Sequence, residues 1–140
     1  MRPILAGLLA PVFLAVFLLG TGPAAAQERD GITATIQSQI DAFRADDFAQ
    51  AFTYASPNIQ GMFGNSERFG MMVRNGYPMV WRPAEVQYLE LEDRGGLLYQ
   101  KVMIRDGQGG LHLLEYQMVQ NGGDWRINGV QLLRMPGIGA

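Results

Sequence analysis

The residues able to do chemistry in this chain are few and scattered. His112 is the one histidine, and general acid–base work near neutral pH would favour it. In the run "LHLLEYQMVQ" it shares a period-two face with Leu114, Tyr116 and Met118, whereas Glu115 points the other way. With no carboxylate partner on its own face, His112 is expected at a strand end on the surface. One histidine and zero cysteines also leave no metal-ligand set, and catalytic thiols and iron–sulfur clusters are excluded. No catalytic residue, metal or cofactor is therefore assigned.

The acidic residues read as structure. Asp46 and Asp47 are adjacent at a helix start, where an aspartate oxygen accepts an otherwise unpaired backbone N–H. Glu90, Glu92 and Asp93 read as a solvated strand edge and turn. Tyr99 alternates on one face with Lys101, the only lysine, and with Met103 and Arg105, a pattern that suits binding and lacks a paired base. Met62, Phe63, Met71, Met72, Tyr77, Met79 and Trp81 crowd the middle of the chain, as a core or the wall of an apolar pocket requires. Arg82 would stand at the mouth of such a pocket. The candidate ligand-binding residues are Tyr77, Trp81, Arg82, Tyr99 and Tyr116.

The elements that must position them separate into two halves. Ile32, Ile36, Ile40 and Phe43 recur at helical spacing behind Asp30, which is expected to cap the helix. A second helix carries Phe48, Ala51, Phe52 and Ala55 and ends at Pro57. After the expected loop "NIQGMFG", a third starts at Asn65 or Ser66 and turns Phe69, Met72 and Val73 inward, with Gly76 just past its end. Then the period changes to two. "EVQYLELED", "LLYQKVMIRD", "LHLLEYQMVQ" and "DWRINGVQLLR" are four strands joined by "RGG", "GQGG" and "NGG", short glycine-bearing links that favour antiparallel hairpins. The expected fold is α+β, with three N-terminal helices packed on a curved four-stranded antiparallel sheet. In the last strand Trp125 and Ile127 face one way and Arg126 and Asn128 the other. A bulge at Asn128-Gly129 would return Val130 and Leu132 to the tryptophan face and bend the sheet into a cone.

That order, with "FRADDFAQAF" and the terminal "WRINGV", resembles the nuclear-transport-factor-2-like, or cystatin-like, superfamily. Ser56 to Pro83, with Phe63, Gly64, Phe69, Met72, Val73, Gly76, Tyr77 and Pro78, is more closely similar to an uncharacterised bacterial domain-of-unknown-function family within it. The resemblance implies a cone fold. Because superfamily members include isomerases, dehydratases and non-catalytic binding domains, it implies no one activity.

The first residues read as a targeting segment. Arg2, the apolar run Ile4 to Leu19, and Ala24 and Ala26 at the small-residue positions predict a secretory signal peptide over residues 1–26. The run is short of the ~20 residues a membrane span needs, so no membrane association is expected after cleavage. The mature chain, 27–140, is expected to be one domain with its core at about 32–134, exported to the periplasm or secreted. Losing Arg2 takes the net charge from −2 to −3, so nothing basic remains to hold a nucleic acid. Apolar residues on both faces of the two middle strands predict a homodimer through the outer sheet face. The expected partner is a small apolar or amphipathic ligand or a protein. Two alternatives are a cone-pocket isomerase or dehydratase, and an interaction module with a filled core.

Overall fold

The computed structural model describes residues 22–135. Five helices precede four strands: α1 (Pro23–Arg44), α2 (Phe48–Thr53), α3 (Pro57–Phe63), α4 (Ser66–Gly76), α5 (Pro78–Trp81), β1 (Pro83–Arg94), β2 (Leu97–Asp106), β3 (Leu111–Asn121) and β4 (Asp124–Leu133). The expected α+β architecture is present, with two helices more than the sequence pattern suggests.

Both additions begin with proline. Ser56 accepts the Ile59 N–H at 3.2 Å, and Pro57 occupies the first turn, where its missing donor is no loss. Pro57 thus opens α3 as well as closing the segment before it. The expected loop "NIQGMFG" is helical, and it stops where Gly64 takes φ 82°. Pro78 opens the single turn α5 in the same way. The start of α1 is also corrected: Pro23 follows Gly22, and the helix runs through Asp30, which caps nothing. The alanines and glutamine of "PAAAQ" are strong helix formers and carry the helix back beyond the amphipathic stripe. Gly76 likewise closes α4 from within, and Tyr77 is its C-cap. Asp47 and Asn65 cap α2 and α4 by accepting from Gln50 N and Arg68 N. The expected signal segment lies mostly outside the described residues; 23–26 are the exposed first turn of α1.

The strands form one antiparallel meander in the order β1-β2-β3-β4. At the β1–β2 joint Gly95 and Gly96 take φ 62° and 92°, values natural only to glycine in a two-residue hairpin. Three bulges bend the sheet. In β1 one extra residue, Ala84, lies between the pairs Pro83↔Asp106 and Glu85↔Arg105, and another lies between Tyr88↔Val102 and Leu91↔Gln100. In β4 Asn128 is the extra residue between Met118↔Ile127 and Gln117↔Gly129, the bulge that Asn128-Gly129 predicts. The outer edge of β4 is covered rather than open: Ser56 N donates to Ile127 O and Ile127 N to Tyr54 O, at 2.8 and 2.9 Å.

Ile32, Ile36, Ile40 and Phe43 of α1 lie fully buried against Val102, Ile104, Leu114, Tyr116 and Met118 on the concave face. Each large aliphatic side chain sealed there is worth roughly 2 to 5 kcal/mol against alanine. Trp125 shares that face but is only half-buried, because it lies at the edge against Gly31, where an added Cβ would stand 2.8 Å from its Cδ1.

Candidate functional site

Between the helices and the bent end of the sheet lies a cavity of about 230 Å³. The β4 bulge opens it, because the bend brings Gly129 and Val130 into one wall while Tyr116 and Ile127 form the floor. Phe43 and Gln39 of α1, and Phe69, Met72 and Val73 of α4, close the opposite side. Ile59, Met62 and Phe63 of α3 line the rest, and Met62, 69% exposed, stands at the rim. The phenylalanines are rigid as a group: Phe69 packs at 5.9 Å from Phe43, 5.2 Å from Phe52 and 5.7 Å from Phe63.

The wall is almost wholly apolar, and its polar groups are neutral. Tyr77 donates its hydroxyl to Val130 O at 3.2 Å, and Gln39 Nε2 donates to Ala51 O at 3.2 Å. The Tyr116 hydroxyl has no hydrogen-bond partner among the described residues, and neither has the Gln39 side-chain oxygen, although both residues are more than nine-tenths buried. Burial pushes the Tyr116 phenol well above its ordinary value, with the Tyr88 and Tyr77 phenols nearby adding to the effect. It is a hydrogen-bond donor at every physiological pH. No Asp, Glu, His, Lys or Arg lines the cavity among the described residues.

Of the five expected ligand-binding residues, Tyr77 and Tyr116 meet in this cavity. Trp81 and Arg82 do not reach it. The Trp81 Nε1–H and Arg82 Nη2 converge on Asp46 Oδ1 at 2.9 and 2.7 Å, and Arg82 Nη1 donates to Phe43 O at 2.9 Å, capping the end of α1. Asp46, at φ 57°, makes the tight turn that presents its carboxylate to both, and their hydrogen bonds, Trp81's first, hold its carboxyl below the ordinary value. Arg82 and Arg74 also lie over the Trp81 ring, 4.4 and 5.3 Å from its centre.

Tyr99 is on the convex face, its hydroxyl accepting from Gln117 Nε2 at 2.8 Å and its ring covered by Arg94 at 4.3 Å. Arg94 reaches across that ring to grip both oxygens of Glu115, at 2.8 and 2.6 Å, and so buries a carboxylate on the outer sheet face. Lys101 is paired with Glu90 and Arg105 with Glu85. The anion site that Tyr99 and Lys101 suggest is therefore occupied by the protein's own carboxylates. The half-buried Met103 and Leu113 sit among these pairs, so the outer face is more polar than alternation alone implies.

His112 does have a carboxylate partner, contrary to the sequence reading. Asp106, at the far end of the "DGQGG" turn, stands 2.7 Å from its Nε2. A backbone reversal between the two residues brings them together, which strand alternation within β3 could not reveal. The other oxygen of Asp106 accepts from Gln108 N and Gly110 N, both at 2.9 Å. The His112 hydrogen bond first, then those backbone donors, hold the Asp106 carboxyl below its ordinary value. Neither residue lines the cavity, so the pair fastens the β2–β3 hairpin. Among the described residues no group of His, Cys, Asp and Glu could hold a metal ion, and no helix is long and apolar enough to cross a membrane.

Gln39, Ala55 and Gly129 belong to the wall and escape the sequence reading. Gln39 looks like a solvent position on an amphipathic helix, and only its spacing of three from Ile36 places it inward.

A protein-family profile described as "Domain of unknown function (DUF4864)" matches residues 25–140. No curated protein matches the chain. Among solved structures, it is similar to a five-substitution variant of a chain called Rd1NTF2_05, with TM-score 0.52, 17% identity, and 75% of this chain and 98% of that chain covered. It is also similar to the solution structure of a SEC-C motif containing protein from Rhodopseudomonas palustris, with TM-score 0.53, 16% identity, and 72% and 77% covered. An NTF-2 like protein of unknown function from Burkholderia xenovorans aligns with TM-score 0.45 and 16% identity over 78% and 90% of the two chains. At these identities the likeness is one of fold.

Proposed function

The chain belongs to the DUF4864 family, a domain of unknown function with a nuclear-transport-factor-2-like fold, and from that premise we propose that it is an exported, non-catalytic binding domain for a small apolar or amphipathic ligand. The observation that carries this reading is the cavity of about 230 Å³, walled by aliphatic, aromatic and methionine side chains. A wholly filled core would have argued for an interaction module; open space at this depth argues against it. Proton-transfer chemistry needs a base or acid within reach of the bound molecule. The cavity wall supplies only phenols and an amide, and the His112–Asp106 pair stands elsewhere, so binding is favoured over an isomerase or dehydratase role.

Export is supported by Arg2, the apolar run to Leu19, and the Ala24 and Ala26 positions. The family match begins at residue 25 and the first buried side chain of α1 is Ile32, so a cut after Ala26 would take nothing from the core. The proposal includes a homodimer through the convex face, where Met103 and Leu113 lie between the ion pairs; sedimentation equilibrium of the mature chain should return twice the monomer mass.

Ligand binding is tested by isothermal titration calorimetry with propylbenzene. Wild type should bind it, and Val130→Phe, which plugs the wall, should not. Equal heats from both proteins, or none from the wild type, would remove the cavity as the binding site.

A further inference from the structure

The polar atoms of the cavity specify more than its size. Both the Tyr116 hydroxyl and the Gln39 side-chain oxygen are held in an apolar wall without partners among the described residues, one able to donate and the other able only to accept. The one fully buried side-chain polar atom without a partner among the described residues is Gln100 Oε1, outside the cavity lining. The Tyr116 and Gln39 oxygens are therefore open to the cavity space, and a molecule that hydrogen-bonds to them is favoured over one that covers them with hydrocarbon. A ligand hydroxyl does so at both ends, accepting from Tyr116 and donating to Gln39. A ligand carboxylate would enter a wall without any cation, and an ammonium a wall without any carboxylate, each at a desolvation cost that nothing repays. The aromatic rings are packed on one another and leave no cage for a cation. A cavity of roughly 150 Å³ takes up benzene, so this one suits a molecule of about ten non-hydrogen atoms.

We infer that the cavity selects a neutral alcohol: an apolar body of about one ring and a short chain, with its hydroxyl seated between Tyr116 and Gln39. This rests on the ligand-binding reading above and adds the chemical class. Because the Tyr116 hydroxyl has no partner to lose, Tyr116→Phe keeps the ring and the fold, and so isolates the donor.

The test is a matched titration of phenylpropanol, propylbenzene and phenylpropionate against wild type and Tyr116→Phe, followed by calorimetry. The alcohol should bind wild type about thirtyfold more tightly than propylbenzene, the worth of two net hydrogen bonds. It should lose about fivefold, the worth of one, in Tyr116→Phe, while propylbenzene is unchanged. The carboxylate should bind at least tenfold more weakly than the alcohol. Alcohol and hydrocarbon binding alike, with Tyr116→Phe without effect, or a carboxylate matching the alcohol, would overturn the assignment and leave apolar binding standing. Failure of all three ligands would instead remove the binding reading itself.

Discussion

Ser56 donates its hydroxyl to Asn128 Oδ1 at 2.7 Å, and that bond fastens the cap of α3 to the bulge of β4. Asn128 passes the connection on, donating Nδ2 to Gln117 Oε1 at 2.6 Å, and Gln117 donates to the Tyr99 hydroxyl at 2.8 Å. One chain of hydrogen bonds thus runs from the helical layer, through the bulge, to the convex face. The bulge is what gives the cavity its Gly129 and Val130 wall, so its fastening is part of the site.

Asn128→Ala should destabilise the fold by about 1 to 3 kcal/mol, because it removes two part-buried hydrogen bonds and leaves partners behind. Urea melts of Ser56→Ala, Asn128→Ala and the double variant give the coupling. It should be non-zero, and additive effects would mean the bond contributes nothing.

Two helical glycines should respond to alanine with opposite signs. A Cβ at Gly70 would stand 2.7 Å from Phe48 Cδ1, where α2 and α4 approach, so Gly70→Ala should cost about 1 to 3 kcal/mol. Gly61 in α3 has nothing within 4 Å of its added Cβ, so Gly61→Ala should stabilise by about 0.5 to 1 kcal/mol. Thermal melts that rank the two the other way would refute the helix packing described above.

Acid should release the Asp46 turn. Trp81 and then Arg82 hold its carboxyl below the ordinary value of 3.8, so on acidification the unfolded chain takes up this proton first. The stability it supplies is complete well above 3.8 and is lost as the pH falls from there through the folded-state value. In Asp46→Asn that slope should be shallower across the same window. Parallel stability curves for the two proteins would contradict the assignment.

Asp106 should matter more to stability than His112, since it holds two backbone N–H groups as well as the imidazole. Asp106→Ala is expected to be the more destabilised of the two, and neither variant should alter ligand affinity. A loss of affinity in His112→Ala at unchanged stability would restore the histidine as a functional group.

Legibility in the sequence tracks how local each signal is. The strands, their order and the Asn128-Gly129 bulge could be read because period-two alternation and glycine pairs act over a few residues. The helices at Pro57 and Pro78 could not, because Gly61 and Gly64 read as loop and proline reads as an end when it is here a beginning. Tyr77 and Tyr116 were visible as cavity candidates through their aromatic character. Trp81 and Arg82 were misplaced for a tertiary reason: Asp46, 35 residues before Trp81 in the chain, turns back and takes both their hydrogen bonds. Asp106 escaped notice beside His112 because a six-residue reversal joins them, outside any single strand.

The most direct test of the central claim is methyl-resolved NMR of the protein titrated with propylbenzene. Resonances of Ile59, Met72 and Val130, which line the cavity, should shift, and those of Leu111 and Leu113, which do not, should stay still. Shifts confined to Leu111 and Leu113, or none at Ile59, Met72 and Val130 at saturating ligand, would contradict a binding site inside the cone.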